Sequence, residues 1–396
     1  MLSAVFLLSL AAALAVQLPE DPGPWPAGWQ DVAFTDANFG QGFVFARIYY
    51  PAIVAGQNTL ADNSGGPYPM VALLHGYLGS ADGLDMLGNH FASHGYLVAS
   101  IDTHSGLFPD IMDYAWNTRA MLQWTEDQSQ TPGTWLEGMA RAGDWAAIGH
   151  SMGGGTLSLL IGIEPRVRVI VGMQAAEADP PGPLNMISFT GAGMWIAGSV
   201  DAIVPPATVR LWYQRATSAA RRSFFEVIGM GHLGPSDNPS NNQPMSAAEQ
   251  QAVHRRLITP FLNAEMNGDV AAYEFIYGST VSAPWSVAQS STQPILWGGA
   301  SASSSGAEFG VHGVPFSNAV FAWSTALGNS MTPFGAAGID LAFGGSTPTF
   351  VLGPNGWGRD VFSFPPMWSG TTVYFQAASF QGAAGALTDV VSVVVP

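Results

Sequence analysis

Residues 147–155 read Ala-Ile-Gly149-His150-Ser151-Met152-Gly153-Gly154-Gly155, an apolar run passing through Gly-x-Ser-x-Gly into a helix-forming stretch. No other feature narrows the fold so far. It demands a buried strand, a sharp turn and a helix in direct succession, with a serine at the apex, the signature of a nucleophile elbow. Glycines two residues either side of Ser151 make the turn feasible, because a side chain there would strike the adjoining strand or helix. A serine hydroxyl becomes a useful nucleophile only when a base takes its proton. The motif therefore directs attention down the chain, to a base and an acid that orients it.

Both follow Ser151. Gly198-Ser-Val-Asp201-Ala-Ile-Val-Pro205 sets a carboxylate just beyond one apolar strand, and Gly229-Met-Gly231-His232-Leu233-Gly234 sets a histidine just beyond the next. The order Ser, Asp, His is that of hydrolases built on an open parallel sheet, and the carboxyl ends of such strands are where a site forms. His232 is the candidate base and Asp201 the carboxylate that holds its tautomer and supports its cation. Seven other histidines compete. His104 follows a strand end but precedes the serine. His150 reads as a packing residue and His254, beside Arg255 and Arg256, as a solvated one. His90 and His94 end a helix, and His312 lies outside the first unit. A developing oxyanion needs donors. The amide of Met152, at the positive end of the elbow helix, is one candidate. The amide of Tyr77, in His75-Gly76-Tyr77-Leu78-Gly79 after the Met70–Leu74 strand, is the other.

Around these motifs, short apolar runs alternate with longer amphipathic stretches. Strands are expected at Gly42–Tyr50, Met70–Leu74, Leu97–Ile101, Trp145–Ile148, Val167–Met173, Gly193–Ala197 and Ser223–Ile228. Helices are expected at Ala81–Ser93, Asp110–Glu126, Thr156–Ile163, Pro206–Ala216 and Met245–Asn267. Such alternation predicts an α/β fold, a mostly parallel sheet with helices on both faces. Beyond Tyr277 the composition changes. Residues 278–293 are small, polar and uncharged, which suits a linker or a winding connection. After them come eight short β-rich runs punctuated by Gly, Pro, Asn and Ser, from Pro294–Trp297 to Thr388–Val395, suggesting a β-sandwich-like C-terminal domain. Trp297, Trp323, Trp357, Trp368 and Tyr374 in this unit read as core, with stacking on a polymer as the alternative. The expected organisation is 1–15 leader, 16–277 catalytic unit, 278–293 linker and 294–396 accessory unit. The length of 396 residues is ample for two cores.

The leader assignment rests on MLSAVFLLSLAAALA, an apolar run ending in small residues and too short to span a bilayer. An exported protein, secreted or periplasmic, is expected. There is no cysteine, so thiolate catalysis and disulfides are excluded. All twelve basic residues are arginine and the formal charge is −16. That balance speaks against nucleic acid and anionic lipid as partners, since both require basic clusters. Asp237-Asn238-Pro-Ser-Asn241-Asn242 reads as a polar loop rather than a calcium site. No zinc spacing, phosphate loop or dinucleotide fingerprint occurs, so no cofactor or metal is expected.

At His75–Thr103, Ile148–Leu159, Ala197–Pro206 and Gly229–Gly234 the chain resembles the α/β-hydrolases, and within them the bacterial cutinase, polyester-hydrolase and dienelactone-hydrolase-like group. The likeness spans about residues 42–267. It implies a secreted serine esterase with Ser151, Asp201 and His232 as triad and Tyr77 and Met152 as oxyanion donors. Tyr77 and Leu233 would touch the substrate, a carboxylic ester of cutin-like or polyester type. A lipase, a phospholipid acetylhydrolase or a dienelactone hydrolase of the same fold is the alternative, as is a surface-binding protein with a vestigial site. Two departures stand out. Gln174-Ala-Ala-Glu177 occupies the stretch where that group usually carries a tryptophan, and no C-terminal disulfide can form. The gap from Gln174 to about Gly191, where lids are commonly inserted, is short and proline-rich. An exposed groove open to bulky esters is therefore expected, with surface or polymer binding by the C-terminal unit as a further option.

Overall fold

The computed structural model describes residues 17–35, 43–178, 183–277, 285–290, 294–299, 302–354 and 356–396. The apolar leader run lies outside them. Ten strands form the main sheet: β1 Ala27–Thr35, β2 Phe43–Pro51, β3 Gly56–Gln57, β4 Tyr68–Leu74, β5 Leu97–Ile101, β6 Ala140–His150, β7 Val167–Met173, β8 Ala192–Gly198, β9 Arg221–Val227 and β10 Trp285–Ser290. Their order is β10-β9-β8-β7-β6-β4-β5-β2-β1-β3. The six strands from β5 to β9 pair in parallel, and β2, β1 and β10 join antiparallel at the flanks. Strands β4, β5 and β8 are buried along their whole length, and β7 at every position but Arg168, as strands covered on both faces must be.

The covering helices are α1 Asp85–Ser93, α2 Ile111–Gln130, α3 Met152–Ile163, α4 Pro183–Ser188, α5 Pro206–Arg215 and α6 Ala247–Asn267. Alternate residues of each central strand feed two cores. Met70, Ala72 and Leu74 of β4 join Tyr114, Met121, Leu157 and Trp212 on one side. Val71 and Leu73 join Phe91, Phe225, Leu257 and Phe261 on the other. The chain order moves outward from β4 to β5, then crosses back to β6 on the other side of β4. That reversal opens a crevice beyond the carboxyl ends of β4 and β6, the place where open α/β sheets put their ligand.

Strands β1, β3 and β10 and helix α4 lie outside the runs expected from the sequence. β1 escapes the sequence reading because its inward and outward positions barely alternate, leaving only Gly28 and Phe34 buried. Within the 278–293 stretch, Trp285–Ser290 runs antiparallel to β9 as an edge strand. The C-terminal unit consists of antiparallel sheets. One is Ile295–Gly298, Gly306–His312 and Trp357–Ser363. Another is centred on Asn318–Ser324 and Thr372–Gln381. They share a core of Leu296, Phe309, Val311, Phe321, Val373 and Phe375. Trp323 and Trp368 pack half-buried against that core, their ring centroids 4.9 Å apart. Trp297 turns the other way. It is 3% exposed and enters the main-sheet core beside Tyr277, its indole N–H donating to Glu274 Oε2 at 2.5 Å.

Candidate active site

Ser151 follows β6 and precedes α3 with φ 53° and ψ −115°. A non-glycine residue held there stores roughly 1–3 kcal/mol of strain, which the surrounding packing must impose. The two motif glycines show how. A Cβ on Gly149 would lie 2.3 Å from the Gly153 carbonyl oxygen, and one on Gly153 would lie 2.4 Å from that of Leu74. With those side chains absent, strand and helix close on the turn. The Ser151 amide donates to Met173 O at 3.0 Å, and its carbonyl accepts from Ala176 N at 2.9 Å and Gly155 N at 3.1 Å.

Three side chains from three loops meet at this apex. Ser151 Oγ donates to His232 Nε2 at 2.9 Å, and His232 Nδ1–H donates to Asp201 Oδ2 at 2.8 Å. Asp201 is buried, yet its charge is not stranded. Oδ1 accepts the amides of Ile203 and Val204, both at 2.8 Å, so both carboxylate oxygens are satisfied by donors. A buried carboxylate needs such partners. They fix the plane of the group and hence the edge it shows to the imidazole. With Nδ1 committed as donor, Nε2 carries the lone pair that faces the serine.

The two expected oxyanion donors belong to backbone segments that meet at Ser151. The first helical bond of α3 is Gly155 N to Ser151 O, so the Met152 amide has no acceptor within the helix. A Cβ on Gly76 would come within 3.1 Å of Ser151 Cβ. The exit of β4 therefore passes against the elbow at Gly76, the residue before Tyr77. The Tyr77 ring is half exposed and its hydroxyl donates to Leu107 O at 2.9 Å. Leu233, beside the histidine, is 43% exposed. Leu78, Leu107, Phe108 and Ile203 are exposed on the loops that follow β4, β5 and β8.

None of the described competing histidines pairs with Ser151 Oγ. His104 faces Asn117 Oδ1 at 3.3 Å, and burial lowers its pKa. His150 is buried, with a pKa lowered to about 3 by burial and by the neighbouring His232. His254, expected to be solvated, is fully buried, its pKa lowered to about 4 by desolvation. The reason is helical geometry. Successive residues of α6 point about 100° apart, so His254 follows Gln250 and Val253 inward while Arg255 and Arg256 reach out to Glu20. Asp237 ties the loop after His232 to the main unit, accepting the Met86 amide at 2.8 Å. Between β7 and β8 the described residues form only the six-residue helix α4. No helix among the described residues is long and apolar enough to cross a membrane.

Among known proteins, a family described as PET hydrolase-like matches residues 22–257, more than half of the chain and a span holding Tyr77, Ser151, Met152, Asp201 and His232. Cutinase 1 of Thermobifida cellulosilytica is 27% identical over 220 residues, covering 55% of this chain and 75% of that protein. A cutinase of Thermobifida fusca is likewise 27% identical over 220 residues, covering 55% and 65%. The bis(hydroxyethyl) terephthalate hydrolase of Streptomyces coelicolor is 25% identical over 202 residues, covering 50% and 58%. The family match and these three alignments draw on little more than half of the sequence.

Proposed function

This chain belongs to the PET hydrolase-like family of α/β-hydrolases and is an ester hydrolase, and from that premise we propose that Ser151, His232 and Asp201 are its catalytic triad, acting on carboxylic esters that include polymeric ones. The observation carrying the proposal is the unbroken relay of 2.9 and 2.8 Å from Ser151 through His232 to Asp201.

As Ser151 Oγ attacks the ester carbonyl carbon, His232 Nε2 takes its proton and Asp201 steadies the imidazolium. The carbonyl electron pair moves onto oxygen, which the amides of Met152 and Tyr77 stabilise; losing one such donor costs roughly 3 kcal/mol. Collapse of the tetrahedral species expels the alcohol, which receives the proton from His232, and leaves an acyl-Ser151 ester. Water then repeats the sequence with His232 as base, releasing the acid and restoring the serine. The exposed apolar side chains of Tyr77, Leu107, Phe108, Ile203 and Leu233 support a bulky, uncharged acyl or alcohol part. The short span between β7 and β8 leaves it room. The apolar run at Met1–Ala15 supports export, with residues 16–277 as the catalytic unit and 294–396 as an accessory one.

A fluorophosphonate probe should label the wild type at Ser151 and leave Ser151→Ala unlabelled, with kcat of that variant down on the order of 10⁶. Failure of the wild type to label would refute the triad. Polyester film, long triglycerides and lactones assayed side by side would then separate the polyesterase reading from a lipase or dienelactone hydrolase.

A further inference from the structure

His232 lies in a loop that runs from the end of β9 to the start of α6, residues 228–246. A connection of that length is conformationally expensive to hold still, yet a base must keep its ring nitrogen in place to tenths of an ångström. Two buried side chains grip its backbone. From α6, Gln250 Oε1 accepts the Gly231 amide at 3.2 Å, while its Nε2 donates to Met245 O at 3.0 Å and Ser240 O at 3.1 Å. From the elbow, His150 Nε2 lies 2.8 Å from the carbonyl oxygen of His232 itself, with the two rings 5.0 Å apart.

We propose that His150 is a positioning residue of the reaction: its Nε2–H holds the peptide carbonyl of His232, so the turn that presents the nucleophile also sets the place of the base. The inference rests on reading Ser151, His232 and Asp201 as the triad. A carbonyl oxygen can only accept, so the bond requires a proton on His150 Nε2. Burial, which keeps this imidazole neutral, leaves it that single proton to give. His150 adjoins Ser151 in the chain, and its ring nitrogen Nδ1 lies near Gly76, 3.1 Å from where a Cβ there would sit. The ring is thus wedged between the oxyanion loop and the histidine loop, and is itself 5% exposed. A residue so enclosed acts through the base and not on the ester.

The test compares His150→Phe, which keeps a ring and loses the donor, with His150→Gln, which restores an N–H of similar reach. Kinetics on a short p-nitrophenyl ester, fluorophosphonate labelling rates and thermal unfolding are measured on the full chain. His150→Phe should lower kcat about tenfold or more, within the ~100-fold that a misplaced group can cost, with KM within about twofold of wild type. Labelling should slow in parallel, and His150→Gln should recover most of both. If His150→Phe does not fold, His150→Gln against His150→Asn asks the same question, since Asn carries the same amide one methylene short. Unchanged kcat in the donor-less variant, a loss appearing in KM instead, or Gln no better than Phe or Asn would overturn the proposal. Ser151→Ala is the separate control. Activity surviving there refutes the triad itself, whereas a dead Ser151→Ala beside a fully active His150→Phe refutes only the positioning role.

Discussion

Asp201→Asn is the most searching substitution available at this site, because the structure dictates which way the new amide must face. Asp201 Oδ1 accepts two buried backbone N–H groups, from Ile203 and Val204, and Oδ2 accepts the proton of His232 Nδ1. If the asparagine nitrogen faced the two amides, both would lose their acceptor and confront a donor, at about 1–3 kcal/mol for each unsatisfied group. The amide oxygen therefore stays with Ile203 and Val204, and the NH₂ turns to His232. Its hydrogens then demand a lone pair on Nδ1. The imidazole adopts the opposite tautomer, with its proton on Nε2 pointing at Ser151 Oγ, and the serine loses its base. The loss expected in kcat is on the order of 10⁴, equivalent to about 5.4 kcal/mol of transition-state stabilisation. Because the two backbone bonds survive, unfolding stability should fall by only about 1–2 kcal/mol. Steady-state kinetics on a soluble ester, with chemical denaturation run on the same samples, separates the two effects. Retention of more than a tenth of wild-type kcat, in a variant that folds normally, would refute the account of Asp201 as the group that sets the tautomer.

Gly153→Ala would place a Cβ 2.4 Å from Leu74 O and 2.7 Å from His75 O, both backbone atoms that cannot swing aside. A destabilisation of about 1–3 kcal/mol or more is expected, visible as a lowered Tm, and an unchanged Tm would count against the packing of the elbow. Stability should also fall with acidification. His90 and His150, at about 3, and His254, at about 4, lie below the ordinary histidine value, chiefly through desolvation. The unfolded chain therefore binds protons first. The stabilisation is complete above about pH 6.5 and drains away as pH falls toward the folded values, each group approaching about 1.4 kcal/mol per pH unit. Burial raises the carboxyl pKa of Asp237 and Glu265, which act in the opposite sense at the acid end. The decline should thus begin near pH 6.5 and steepen toward pH 5, and a urea midpoint flat from pH 7 to 5 would contradict it. Trp297→Ala should cost about 3–5 kcal/mol and lower the calorimetric transition of the main sheet, because this side chain from the C-terminal unit fills the core beside Tyr277. A transition that stays in place would mean the two units are energetically separate.

The helix–strand alternation and the elbow were readable from the chain because their causes are local. Periodicity reports which face of a segment is apolar, and the glycine spacing around Ser151 reports a clash that any strand-turn-helix would suffer. Strands β5 and β7 fall at the predicted boundaries. The loops bearing Asp201 and His232 were legible for the same reason, each following a short apolar run. β1 was not legible, since an edge strand with little buried surface leaves no pattern in its residues.

What the order of residues determined alone was the alternation of strands and helices around the central sheet and the candidates for the three reacting groups. What only the folded chain decided was everything that depends on neighbours distant in sequence. His150 and His254 look alike as isolated imidazoles, and one holds the His232 carbonyl while the other is sealed beneath α6. Trp297 looks like a sandwich residue and serves the other core. The physical reason is that burial, and with it the proton affinity and hydrogen-bond partner of a polar side chain, is a property of the packed surroundings. Those surroundings are assembled from segments that no local pattern brings together.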